Sequence, residues 1–161
     1  MSAATLIERR TRKLARHLAG TTLRFVTAES CTGGQLAAVL AADAALGVHL
    51  ERGFIVYSVE AKCEMLGVAR EDAERDGAVN PEVAAAMATG ALRTSHADIA
   101  IAITGFCGPR EGREEVGLVY IGAADADAVR VMDFHFGDIG RRNVLDQAVA
   151  AALQIMIDAA S

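Results

Sequence analysis

Cysteine is scarce in this chain, basic charge is in deficit, and no apolar run is long. The three cysteines, Cys31, Cys63 and Cys107, are odd in number and widely spaced, which argues against a disulfide framework and for a reducing compartment. Sixteen Lys and Arg stand against 21 acids, a net charge of −5, so a nucleic-acid footprint is not expected. The one basic cluster, Arg9-Arg10-Thr11-Arg12-Lys13, alternates with Leu6, Ile7, Leu14 and Leu18 and reads as the wet face of an amphipathic helix. No apolar stretch approaches the roughly 20 residues of a spanning helix, and charge appearing by Glu8 speaks against a signal peptide. The expectation is a cytoplasmic protein without membrane or nucleic-acid partners.

Familiar catalytic signatures are also missing. There is no G-x-x-x-x-G-K-[ST], G-x-G-x-x-G, G-x-S-x-G, S-x-x-K or H-E-x-x-H. His17, His49, His96 and His135 are scattered and none neighbours a glycine-rich turn, so a Ser-His-Asp device is not expected. The cysteines lack the close pairing of a zinc site, and no metal is expected.

What is present is an apolar fraction of 52% with 23% charged residues, the composition of one compact domain over residues 1–161. Hydrophobic periodicity gives helices over 3–19, 31–42, 60–66, 81–95 and 141–159. It gives strands over 23–28, 53–58, 98–104, 116–123 and 129–136. Asn80-Pro81-Glu82 is a helix start, with Asn as cap and Pro at the first helical position. Residues 43–47 and 69–79 read as loops, the second with one helical turn. The element order describes an α/β fold, a three-layer α/β/α sandwich with a mixed sheet.

The most informative segment is Thr27-Ala-Glu-Ser-Cys-Thr-Gly-Gly34, which joins the first strand to the second helix. Its Ser, Thr and glycines sit where helix N–H groups lack partners and the dipole is positive, a setting for a phosphate or a developing oxyanion. Open α/β sheets bind ligands at the carboxyl ends of their strands. Those ends carry Glu29, Ser30 and Thr32, then Tyr57 and Ser58 followed by Lys62, then Thr104 and Gly105. Without a suitable histidine, Lys62 is the candidate base for Ser30, provided burial or a cation brings its pKa down towards neutrality. Tyr57 would relay a proton or fix the amine, and the N–H groups near Thr32, Gly33 and Gly34 would form the oxyanion hole. Each residue has a plainer reading: Ser30 as a helix cap, Lys62 as an exposed helical lysine, Tyr57 as an edge aromatic, Thr104-Gly105 as a strand end. Cys31 is either a thiol activated by the helix start or a packing residue.

With these residues in hand, the chain resembles the CinA C-terminal domain family, whose stand-alone members are nicotinamide-nucleotide amidases. The matching segments are Thr27–Gly34, Gly53-Phe-Ile-Val-Tyr-Ser-Val-Glu-Ala-Lys62, Leu66-Gly-Val68, Asp76-Gly-Ala-Val79, Thr104-Gly105 and Gly108-Pro109. The resemblance implies conversion of nicotinamide mononucleotide to nicotinic acid mononucleotide and ammonia by Ser30, Lys62 and Tyr57. It implies no cofactor, an α/β/α sandwich, and self-association as a dimer or higher homo-oligomer. A backbone nest around Gly105–Gly108 would take the substrate phosphate.

The chain departs from the family pattern in several loops. Ala45-Leu-Gly-Val48 replaces P-G-S-S, Val59 replaces an Asn, and Asn80 a Ser. The loop over Arg110–Glu115 is about two residues short and lacks a Lys-Pro before Val116. An Arg expected early in the last helix aligns with Leu145, behind two extra residues near Ile139-Gly140. These departures support a second expectation: a catalytically silent paralogue that binds a nucleotide or a partner protein.

Overall fold

The computed structural model covers residues 1–161. Helix α1 (Ala3–Leu18) is followed by β1 (Phe25–Glu29), α2 (Gln35–Ala42), the one-turn α3 (Ala44–Gly47), β2 (Leu50–Ile55), α4 (Val59–Leu66) and α5 (Arg70–Glu74). A 3-10 turn (Arg75–Ala78) leads into α6 (Pro81–Arg93), β3 (Ile99–Gly105), β4 (Leu118–Ala124), β5 (Val129–His135) and α7 (Arg141–Ala159). The five strands form one sheet in the order β2-β1-β3-β4-β5. β1 runs parallel to both β2 and β3, while β4 and β5 are antiparallel additions, so the sheet is mixed.

The alternation along β3 sorts the two faces. Ile99, Ile101 and Ile103 join the cluster containing Leu14, Leu18, Leu36 and the apolar ridge of α7. Ala100 and Ala102 face the opposite cluster, built from Val26, Ala28, Val83, Met87 and Ala91. Successive strand residues point to opposite faces, so this one strand carries both layers. The alanine face lets α6 come close: a Cβ on Gly122 of β4 would lie 2.4 Å from the Ala84 carbonyl oxygen. Any side chain there would drive into the helix backbone.

Sequence periodicity misplaces β2. The apolar run Phe54-Ile-Val56 suggests a strand over 53–58, yet β2 spans Leu50–Ile55 at the sheet edge, half of it polar. Its register is set by β1, pairing Phe25 with Leu50 and Glu29 with Ile55, with an irregularity between Phe25 and Val26. Val56–Ser58 leave the strand to feed α4. Helix α2 begins at Gln35 rather than Cys31, because Gly33 (φ 56°) and Gly34 (φ 99°) are left-handed and hold residues 31–34 in turns. Asp43 caps α3 where a loop is expected, accepting from the Ala45 and Leu46 amides. The 69–79 segment holds α5 and the 3-10 turn. The Asn80 cap forms as expected, its Oδ1 accepting the Val83 amide at 2.9 Å.

The crossover from β1 to β2 passes over one face and that from β2 to β3 over the other, so the order of strands reverses at β1, next to β3. This is where a crevice opens at the carboxyl ends of an open sheet. Two backbone bonds extend the ladder past the strand ends, Ser30 N to Ile103 O at 3.0 Å and Val56 N to Glu29 O at 2.9 Å.

Candidate active site

The Ser30 and Lys62 side chains meet in that crevice. Lys62, the fourth residue of α4, places Nζ 3.0 Å from Ser30 Oγ although the two are 32 positions apart. Ser58 fixes the helix that delivers it, its hydroxyl capping α4 by accepting the Ala61 amide at 3.0 Å. Lys62 is only 2% exposed and Ser30 8%. The amine also lies 2.9 Å from the Val56 carbonyl and 3.3 Å from that of Tyr57. No carboxylate pairs with it, and burial lowers its pKa from the ordinary lysine value.

Three oxygens suit this amine in both of its states. A neutral amine donates two hydrogen bonds and accepts one, which matches two carbonyls and a serine hydroxyl that donates to it. A protonated amine donates three, and the same oxygens accept all of them. Proton transfer from Ser30 therefore needs no rearrangement of neighbours, as a base alternating between its two forms requires.

The cavity beside the pair, about 190 Å³, is lined by Ser30, Cys31, Tyr57, Lys62, Thr104 and Arg141 together with Val59, Gly77–Val79 and Gly105. A second cavity of about 270 Å³ lies alongside, walled by Gly105–Pro109, Glu111, Glu114 and Arg141. Of the residues marked from sequence, Ser30, Tyr57, Lys62, Thr104 and Gly105 come together at the first cavity and Gly108 at the second. Glu29, Thr32, Gly33, Gly34 and Ser58 line neither.

Glu29 explains where the helix start went. Fully buried, its carboxylate accepts the Thr32 hydroxyl at 2.7 Å and the Leu36 and Ala37 amides at 2.8 and 3.0 Å. Expected to touch substrate, Glu29 instead caps α2 while the Thr32 hydroxyl donates to its carboxylate, and the orphan amides of that helix are already taken. The Gly33 amide closes a turn onto Ser30 O, whereas the Cys31 and Thr32 amides donate to no protein acceptor. Unused N–H groups thus flank Ser30 in the turn, one step before the helix.

Tyr57 also differs from expectation. It touches Lys62 through its backbone carbonyl, while its hydroxyl accepts a hydrogen bond from Arg141 at 2.8 Å. The Thr104 hydroxyl is committed elsewhere too, donating to Ala78 O at 2.8 Å. That bond pins a run of left-handed residues, Asp76 (φ 53°), Gly77 (φ 60°) and Ala78 (φ 62°), the last two of which line the cavity. Left-handed backbone at two non-glycine residues carries strain, and such strain gathers at functional sites. Nothing in the polar 69–79 segment signals it beyond the glycine.

Cys31 lines the cavity, but its thiol is held well above the ordinary value, first by a hydrogen bond with the Cys107 thiol and then by burial. All three cysteines are free. None of the four histidines lines either cavity.

An α/β/α sandwich with a serine–lysine pair at the switch point of its sheet defines the class of this protein. The chain belongs to the CinA C-terminal domain family, which matches residues 7–160. It is 43% identical over 134 residues to the nicotinamide-nucleotide amidohydrolase PncC of Escherichia coli K12, covering 81% of this chain and 80% of that protein. A putative competence-damage inducible protein of Caldicellulosiruptor saccharolyticus is 45% identical over 137 residues, 83% of this chain but 33% of its own length. This chain therefore spans about a third of that relative. Among solved structures, the competence/damage inducible protein CihA of Agrobacterium tumefaciens superposes with a TM-score of 0.89 at 37% identity, covering 95% of this chain and 94% of that one. No helix is long and apolar enough to cross a membrane.

Proposed function

We propose that this protein is an amidohydrolase that deamidates nicotinamide mononucleotide to nicotinic acid mononucleotide, with Ser30 as nucleophile and Lys62 as base. The observation that carries this reading is the 3.0 Å contact between Ser30 Oγ and a buried, carboxylate-free Lys62 amine. The name of the Escherichia coli relative supplies the substrate.

Ser30 Oγ attacks the carboxamide carbon as its proton passes to Lys62 Nζ. The Cys31 and Thr32 amides receive the oxyanion, the role preorganised donors fill in acyl transfer. The C–N bond then breaks, Lys62 returns the proton to the departing amide nitrogen, and ammonia leaves an acyl ester on Ser30. Water, deprotonated by Lys62, attacks that ester and restores the serine with release of the acid. A pyridinium ring withdraws electrons from the carboxamide, which favours both attacks. Glycine N–H groups of the 105–108 loop receive the phosphate. Self-association, which the family resemblance implies, is proposed as a homo-oligomer.

The test is ammonia release from nicotinamide mononucleotide by purified protein and its Ser30→Ala variant. Turnover by the wild type and none by the variant is expected. Equal rates would remove the serine mechanism, and no turnover by a wild type that binds the nucleotide tightly would favour a silent binding protein.

A further inference from the structure

Arg141 joins the two cavities. It is the first residue of α7. Its side chain crosses the mouth of the site. One terminal nitrogen donates to the Tyr57 hydroxyl at 2.8 Å and the other to Gly108 O at 2.6 Å. Those two bonds use two of the five guanidinium N–H groups, leaving the rest for a ligand.

Its charge is unanswered by the protein. Arg142, the next residue, pairs with Asp146, whereas no carboxylate lies within 4.0 Å of Arg141. Position matters as well, because a cation on the first turn of a 19-residue helix sits at the positive end of its dipole, where cations are disfavoured. An anchored, unpaired cation that its own helix repels is arranged for an anion from outside.

Cavity size indicates where that anion sits. Alone, the cavities of about 190 and 270 Å³ fall short of the roughly 300 Å³ at which ligand pockets usually begin. Together, through their shared Gly105 and Arg141, they reach it. A ligand with its amide at Ser30 must extend past Arg141 into the second cavity. Two acids, Glu111 and Glu114, also line that cavity, and the Glu114 carboxylate accepts the Glu111 amide; neither lies within 4.0 Å of Arg141. The Cys107 and Gly108 amides donate to no protein acceptor. The end of the cavity nearest Arg141 is thus its anion-accepting end.

We infer that Arg141 is a specificity-determining residue, which grips the phosphate of a pyridine nucleotide between the two cavities and so selects phosphorylated amides over their dephosphorylated nucleosides. This rests on the amidohydrolase reading given above for the identity of the amide.

The test compares nicotinamide mononucleotide with nicotinamide riboside in wild type, Arg141→Met and Arg141→Lys. The readout is the ratio of the two kcat/KM values, which cancels any general loss through Tyr57. The ratio is expected to fall roughly 10- to 100-fold in Arg141→Met, the size of a charge-assisted contact, and to recover in part in Arg141→Lys. An unchanged ratio in Arg141→Met overturns the proposal, whatever the common rate does. If neither compound is hydrolysed by the wild type, the amidase reading fails on its own. Calorimetric affinities for the same two compounds then give the ratio, with the same two outcomes.

Discussion

Replacing Lys62 by Met removes one charge and one base while keeping an unbranched chain of similar length in the same buried channel. The rate loss is set by what the amine does. A positioned base contributes roughly 10² to 10⁴ in rate, and members of a nucleophile–base unit fail together rather than additively, so a loss of about 10³-fold or more is expected. Stability is set by opposing effects. The Val56 and Tyr57 carbonyls lose a donor, at about 1 kcal/mol each, while the cost of burying an amine disappears. The net change should lie within about 2 kcal/mol of zero, and the variant should fold.

The pH dependence carries a sign. Burial lowers the Lys62 pKa in the folded protein, so between that value and about 10.4 the unfolded chain holds more protons. Lys62 therefore makes wild-type stability rise with pH across that window, a slope that should vanish in Lys62→Met. Thermal melts at several pH values measure this, and ammonia release measures the rate. A Lys62→Met protein that keeps a tenth or more of wild-type turnover would refute the proton-transfer assignment.

Other expectations concern neighbouring residues. The wild-type kcat/KM should rise with pH on a limb whose midpoint lies below that of free lysine, as Lys62 sheds its proton; a flat profile would count against a lysine base. Glu29→Ala strips three hydrogen-bond donors of their acceptor at the start of α2 and should cost roughly 3–5 kcal/mol by chemical denaturation, whereas a loss under about 1 kcal/mol would mean the helix finds another cap. Thr104→Val releases the Ala78 carbonyl and should lower kcat more than it raises KM, by loosening the left-handed wall; unchanged kinetics would show the wall holds without it. Gly122→Val should prevent normal packing of α6, visible as a collapsed melting temperature, and a melt like that of the wild type would contradict the close approach.

Much of the scaffold is legible because its signals are local. The Ile/Ala alternation of β3 announces a strand covered on both faces, and the Asn80-Pro81 start needs only its own residues to form a cap. β2 is not legible, because an edge strand is placed by its hydrogen-bonded neighbour and needs no apolar run of its own. The site divides the same way. Ser30 and Lys62 are candidates from sequence, because no histidine competes as a base and the family resemblance implies the pair, but their contact needs the fold. Glu29 misleads, because a carboxylate at a strand end looks ready for ligand until the helix amides that it caps are placed in space. Arg141 is not legible, because nothing in Gly140-Arg141-Arg142 says which of the two arginines the fold turns towards Tyr57 and which pairs with Asp146.

The serine–lysine chemistry is tested most directly by the mass of the protein during turnover. Nicotinamide mononucleotide mixed with enzyme and quenched in acid within the first turnovers should add one acylated nucleotide to the peptide containing Ser30, and Ser30→Ala should show no such adduct. Turnover at full rate with no covalent adduct at Ser30, or with an adduct on Cys31, would contradict the account.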